Sequence, residues 1–264
     1  MIAKCRLRLL AAGVCLIMLA ASAGLAQIEP AQKTSSDGHF GDIADPSKWP
    51  ISAVGTVRTT WNTNAIEQCT GTLVGSKLVL TAAHCLFLGD KMALPSSVHF
   101  LIGLDKGVPA AHSLAEHLEV SPDYIPGATP LPATAVNDWA LITLKDALDT
   151  KPVAVRALNA DEFSEVAKTN SAMQVGYGRD RPYLPSIHRN CAISRAGSSN
   201  DSFAFQCLVN FGYSGAPIIA AVAGEPVIIG IASMMIKSGA DTRLGIACAS
   251  AQFARRVAEL LGAR

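Results

Sequence analysis

The chain has no surplus charge of either sign. Its 264 residues carry 22 basic and 21 acidic side chains, a net charge of +1. A nucleic acid or an anionic membrane would call for a basic excess, so neither is expected as a partner. Beyond residue 26 no apolar run is long enough to span a bilayer. Internal repeats and low-complexity stretches are missing, and strand-like runs do not alternate with long helical ones. That last absence excludes a doubly wound α/β fold. His39, His99, His112, His117 and His188 form no metal-site motif, and the spacing of His112 and His117 does not put both rings on one helical face. No metal and no cofactor are expected.

What is present begins with a leader. Lys4, Arg6 and Arg8 precede an apolar run from Leu9 to Ala26, which ends in the small-residue patterns Ala21-Ser22-Ala23 and Gly24-Leu25-Ala26. This is the layout of a secretory signal peptide over residues 1–26, with cleavage expected after Ala26. The alternative is an uncleaved membrane anchor, but anchors seldom end in cleavage patterns. Once the signal is removed, no membrane association is expected, and the protein is placed in the periplasm or outside the cell. Cys5 and Cys15 lie in the leader. Of the other five cysteines, Cys69 and Cys85 are 16 apart, as are Cys191 and Cys207. Both pairs are predicted as disulfides, each worth about 3 kcal/mol in the chain-entropy model, and both need an oxidising compartment. Cys248, after the apolar Leu244-Gly245-Ile246-Ala247, is expected to be a buried free thiol. An intermolecular bridge is the sharper reading of it.

Residues 27–49 are polar and read as an extended lead-in or pro-segment. From Trp49 onward the chain is a series of short apolar runs: 51–57, 72–80, 98–103, 139–144, 173–176, 203–209, 217–222, 227–235 and 245–249. Most are rich in Val and Ile and bounded by Gly, Pro, Ser or Asp, which is the signal of an all-β sandwich or barrel. Residues 122–137, with four prolines, read as a surface loop. Phe253, Val257, Leu260 and Leu261 recur at helical spacing among Arg255, Arg256 and Glu259, predicting a C-terminal amphipathic helix at about 250–262.

Three motifs carry chemistry: Thr81-Ala82-Ala83-His84-Cys85, Asn137-Asp138-Trp139-Ala140-Leu141, and Gly212-Tyr213-Ser214-Gly215-Ala216-Pro217. A serine hydroxyl is a weak nucleophile at neutral pH. It needs a base within hydrogen-bond reach, and the base needs a third group to fix its tautomer. His84 can take the Ser214 proton, and Asp138 can hold the imidazole. The N–H groups of Gly212 and Ser214 can face the oxyanion that develops on the substrate carbonyl. Each motif alone has a bland explanation: a core histidine, a strand cap, a turn. The three together, in the order His, Asp, Ser, do not. An α/β-hydrolase nucleophile elbow is excluded, since Ala216 stands where a second glycine is required and the order of the triad differs.

Thr81 to Cys85 matches the histidine motif of the chymotrypsin-like serine peptidases letter for letter. Cys69-Thr70-Gly71-Thr72-Leu73 resembles the strand bearing its partner cysteine. Asp138 to Leu141 and Gly212 to Pro217 resemble the aspartate and serine motifs. The matches run from Trp49 to Ala249, and the chain looks most like secreted bacterial members. The resemblance implies an all-β fold of two six-stranded antiparallel barrels, about 50–149 and 150–249, with the triad between them. It also implies a Cys69–Cys85 bridge, an oxyanion hole at Gly212 and Ser214, and a substrate-pairing strand at Ser233. The implied activity is hydrolysis of protein or peptide substrates through an acyl-enzyme.

The chain departs from the pattern in two places. Tyr213 precedes the serine where animal members carry an aspartate that pairs with a newly cut N-terminus, and a phenol cannot supply that carboxylate. His39-Phe40-Gly41-Asp42 also lacks the usual new-terminus sequence. Activity without such cleavage is therefore expected. In the pocket, Leu208 stands where trypsin-like members have an acid. Val209 and Ala232 replace the residues of glutamyl-specific members. With Phe211 and Met235 they make an apolar substrate pocket, so a small or medium apolar residue before the scissile bond is expected. The rival reading is a catalytically silent binding module; an esterase-like acyl transferase would share the triad chemistry.

Overall fold

The computed structural model describes residues 41–262, except 63–64, 130, 196–200, 208–209 and 239–241. The leader and most of the lead-in lie outside the described residues. Twelve strands build two closed barrels. The first comprises β1 (Val54–Thr60), β2 (Ile66–Gly75), β3 (Leu78–Thr81), β4 (Val98–Ile102), β5 (Ala111–Val120) and β6 (Ala140–Leu144). They pair in the cyclic order β1-β2-β3-β6-β5-β4. The second comprises β7 (Ala172–Gly176), β8 (Ser186–Arg195), β9 (Ser202–Gln206), β10 (Pro217–Val222), β11 (Glu225–Ser238) and β12 (Thr242–Ala249). It closes in the order β7-β8-β9-β12-β11-β10, with the β8–β9 pairing completing the ring. The two barrels therefore share one topology, and every pairing within them is antiparallel. Closure leaves neither barrel with a free edge.

Inward residues alternate along the strands, as the period of the pleat demands. In the first barrel Val57, Leu73, Val79, Phe100, Ala115 and Ile142 are buried together. Gly55 makes room for this core, because a Cβ there would stand 2.8 Å from the Phe100 ring. In the second barrel Phe203, Phe205, Ile218, Ile229 and Ala247 fill the middle. The bridges Cys69–Cys85 and Cys191–Cys207 are both formed, and Cys248 is free and buried.

Several elements differ from the sequence reading. The run 51–57 opens as a 3-10 turn, Ile51–Ala53, and the run 72–80 is two strands joined at Ser76-Lys77. Two whole strands, β5 and β8, are absent from the apolar runs. They carry His112, Glu116, His117 and Glu119, and His188, Arg189 and Asn190, on faces turned away from the core. A helix also went unread: α1 (Ala160–Thr169). Asn159 Oδ1 accepts from the N–H groups of Asp161 and Glu162 at 3.0 and 2.9 Å, and Glu162 Oε2 accepts from the Asn159 N–H at 3.0 Å. This is a capping box. The helix lays Phe163 edge-on to Phe203 of the second core.

The C-terminal helix is shorter than expected. Ser250–Gln252 is a 3-10 turn, and α2 spans Ala254–Leu260. The tail leaves the second barrel and returns to the first. Phe253 and Val257 are buried in the first barrel's core, with Phe253 against Trp139. Arg256 forks onto Glu119 of β5, Nε to Oε1 at 2.7 Å and Nη2 to Oε2 at 3.0 Å. At the other end, Asp42 and Ile43 pair with Ile187 and Ser186 of β8, and Ala44 N–H donates to Pro185 O at 2.9 Å. Among the described residues no helix is long and apolar enough to cross a membrane.

Losing the Asn159 cap should be felt as stability alone. Asn159→Ala is expected to cost about 1 kcal/mol, read as a lower urea midpoint with an unchanged slope, with the cleft unaffected.

Candidate active site

The first barrel supplies two of the three predicted residues. His84 sits in the 3-10 turn Ala83–Leu86 that follows β3. Its neighbour Cys85 is tied to Cys69 on β2, and the Cys85 carbonyl accepts from Thr59 Oγ1 at 3.1 Å, so the turn is held from two sides. Asp138 ends the turn Ala135–Asn137 just before β6, which pairs with β3 at Thr81–Ala140. Neighbouring strands thus deliver the two side chains to one place.

There they lock. The His84 N–H donates to Asp138 Oδ1 at 2.9 Å, and His84 Nδ1 meets Asp138 Oδ2 at 2.7 Å. With Oδ2 accepting, Nδ1 carries the proton and Nε2 is left as the basic nitrogen. A third donor comes from the second barrel: Ser233 Oγ donates to the same Oδ2 at 2.5 Å. The sequence reading gave Ser233 a role through its backbone and missed this hydroxyl.

The electrostatics follow from these contacts. Burial penalises the Asp138 carboxylate, but the charge and hydrogen bonds of His84, and then Ser233, hold its pKa below the usual carboxylate range. Burial likewise opposes a charged His84. The Asp138 carboxylate, by charge and by hydrogen bond, and then the charge of Glu67, outweigh it and lift the imidazole above its ordinary 6.5. The ring remains accessible, with 34% of the side chain exposed.

Ser214 stands on the loop between β9 and β10, and a post from the first barrel supports that loop. Thr70 of β2 donates its N–H to Ser214 O at 2.8 Å and its hydroxyl to Gly212 O at 2.9 Å, while accepting from the Tyr177 N–H at 3.0 Å. Gly215 N–H donates to Ala232 O at 2.7 Å and ties the loop to β11. Gly212 and Gly215 have φ of +93° and +76°, and a Cβ would fall 2.5 Å from Tyr177 O at the first and 2.4 Å from Thr70 O at the second. Only glycine fits either place.

His84, Asp138, Gly212 and Ser214 line one cleft of about 1050 Å³, with Phe211, Ser233 and Met235. Phe211 and Met235 are 60% and 37% exposed. Leu208 and Val209, the other two predicted pocket residues, lie outside the described residues. Among the described residues no hydrogen bond joins the Ser214 hydroxyl to the imidazole. Such bonds are often long until substrate is seated.

Tyr213, the departure before the serine, is buried beneath the loop. Its ring packs on Gly176 and Gly178, where a Cβ would approach it to 2.7 and 2.5 Å. Beside it Arg181, also buried, donates Nη1 to Ser186 Oγ at 2.8 Å and to Gly41 O at 3.3 Å. Arg179 N–H donates to Phe211 O at 2.7 Å. The N-terminal stretch, the turn 178–182 and the serine loop are therefore packed as one unit. Near His84 the sulfurs of Cys69 and Cys85 are bonded to each other, so they offer no thiolate ligand to a metal.

The origin of the raised His84 pKa is testable by NMR titration of the ring. Asp138→Asn removes the charge that outweighs burial, so the titration midpoint is expected to fall below 6.5, whereas the unsubstituted protein titrates above it. An unchanged midpoint would mean that the carboxylate is not the cause.

A search of curated proteins returned no match. Residues 40–257 match the family model described as Trypsin. With its two closed barrels of common topology and a histidine, an aspartate and a serine on one cleft, the chain belongs to the trypsin family of serine peptidases.

Proposed function

We propose that the protein is an exported serine endopeptidase with His84, Asp138 and Ser214 as its triad. The single observation that carries this reading is the Asp138–His84 hydrogen bond at 2.7 Å on a cleft that Ser214 also lines. His84 Nε2 takes the Ser214 proton as Oγ attacks the scissile carbonyl. Asp138 stabilises the imidazolium without itself accepting the proton. The N–H groups of Gly212 and Ser214 hold the oxyanion. The imidazolium then protonates the departing amine, leaving an acyl-serine that water hydrolyses by the same steps in reverse. Ser233 is a positioning residue, acting through Asp138. The walls at Phe211 and Met235 favour a small or medium apolar residue before the scissile bond, and the edge of β11 at Ser233–Met235 pairs with the substrate backbone by strand addition.

The export reading rests on the leader at residues 1–26 and on the two disulfides, which persist in oxidising compartments. Activity without a new N-terminus is supported by Tyr213, which brings no carboxylate to receive an amine. The Arg181 contact with Gly41 O also fastens an uncut segment in place.

A fluorophosphonate should label the protein once, at Ser214, and Ser214→Ala should abolish labelling. A binding-only module would ignore the reagent. For hydrolysis of an apolar-site peptide, kcat/KM should fall as the pH drops, with the limb centred above 6.5, since His84 acts as base only when neutral and its pKa is raised. Cleavage mainly after Arg, Lys or Glu would reject the apolar pocket. Chain that still carries residues 27–49 should turn over as fast as trimmed chain.

A further inference from the structure

The two rims of the cleft differ in charge. The rim along β11, Ser233–Met235, is uncharged. The opposite rim is the start of β2, and it carries Glu67. We infer that Glu67 selects a basic side chain at the first or second residue after the scissile bond. This rests on the hydrolase reading above and adds a substrate class to it.

Placement comes first. In that reading His84 Nε2 hands its proton to the departing amine, so the segment after the scissile bond runs past His84 on the side away from β11. The start of β2 occupies this side. It is pinned beside His84 by the Cys69–Cys85 bridge and beside the serine by the Thr70 N–H to Ser214 O contact of 2.8 Å. Side chains two apart on a strand share a face. Glu67 therefore projects to the same side as Cys69, toward His84. Gln68 turns the other way, its Nε2 donating to Pro182 O at 3.3 Å.

The carboxyl of Glu67 is poorly compensated. Burial raises its pKa, and only the charge of His84, the Trp61 indole N–H and the charge of Arg179 oppose that. Among the described residues no cation closes on it as an ion pair. Arg179, which lines the same cleft, instead lays its guanidinium over the Phe211 ring, 4.8 Å from the centroid. A cleft-lining carboxylate with no ion-pair partner gains when a substrate ammonium or guanidinium reaches it, and a like charge loses there.

The test uses the full mature chain and internally quenched peptides. Each has one fixed apolar residue before the scissile bond and Lys, Gln or Glu at the first or second position after it. Wild type is expected to prefer Lys to Glu by about tenfold in kcat/KM, a difference of about 1.4 kcal/mol, and the preference should shrink with added salt. Glu67→Gln should bring the ratio near one, and Glu67→Lys should invert it. Equal rates for the three peptides in wild type, or a lysine preference that survives Glu67→Gln, would overturn the assignment. Failure of wild type to cleave any peptide or to react with the phosphonate would instead remove the hydrolase reading, and this inference with it. Fluorophosphonate labelling of both variants at Ser214 shows that they are folded.

Discussion

A carboxylate taken out of water costs several kcal/mol unless donors meet it. Asp138 is met from both barrels: two N–H groups come from His84 in the first, and one hydroxyl comes from Ser233 in the second. These contacts need residues 84, 138 and 233 together, so the buried charge specifies how one barrel sits on the other. Thr70 does the same at the serine loop, bonding Ser214 and Gly212 across the junction. The cleft is thus not a gap left between two finished bodies. It is the place where each body's polar groups are satisfied by the other.

That arrangement explains which parts were readable. The residues that bear the chemistry lie in short contiguous motifs, because local backbone geometry aims each of them. Gly212 and Gly215 are visible in the sequence for the same reason: their φ values permit nothing else. Ser233's hydroxyl and Thr70 were not readable as site residues, since their partners lie 95 and 142 positions away and no local pattern marks the contact. β5 and β8 escaped because His, Glu, Arg and Asn interrupt their buried side chains. Helix α1 left a mark in Asn159 and Glu162, the two ends of a capping box. Its single fully buried side chain, Val166, was too weak a stripe to draw attention to it.

The region under the serine loop shows how a family scaffold can be kept while one of its ion pairs is given up. Tyr213 fills by bulk the space beneath the loop, resting on two glycines. Arg181 bonds to Ser186 and to the backbone at Gly41, which places a buried cation between β8 and the N-terminal stretch. Packing and an internal guanidinium together occupy the space beneath the loop.

The tail of the chain ties the second barrel back to the first. Phe253, Arg256 and Val257 follow the last strand of the second barrel, yet they seat on the first barrel, against Trp139 beside Asp138 and on Glu119. The buried cluster that fills the first barrel takes in Phe253 and Val257 from beyond its own strands. Clipping the chain before Phe253 would uncover Trp139 and free Glu119 from Arg256, so these last turns are part of what holds the first barrel together.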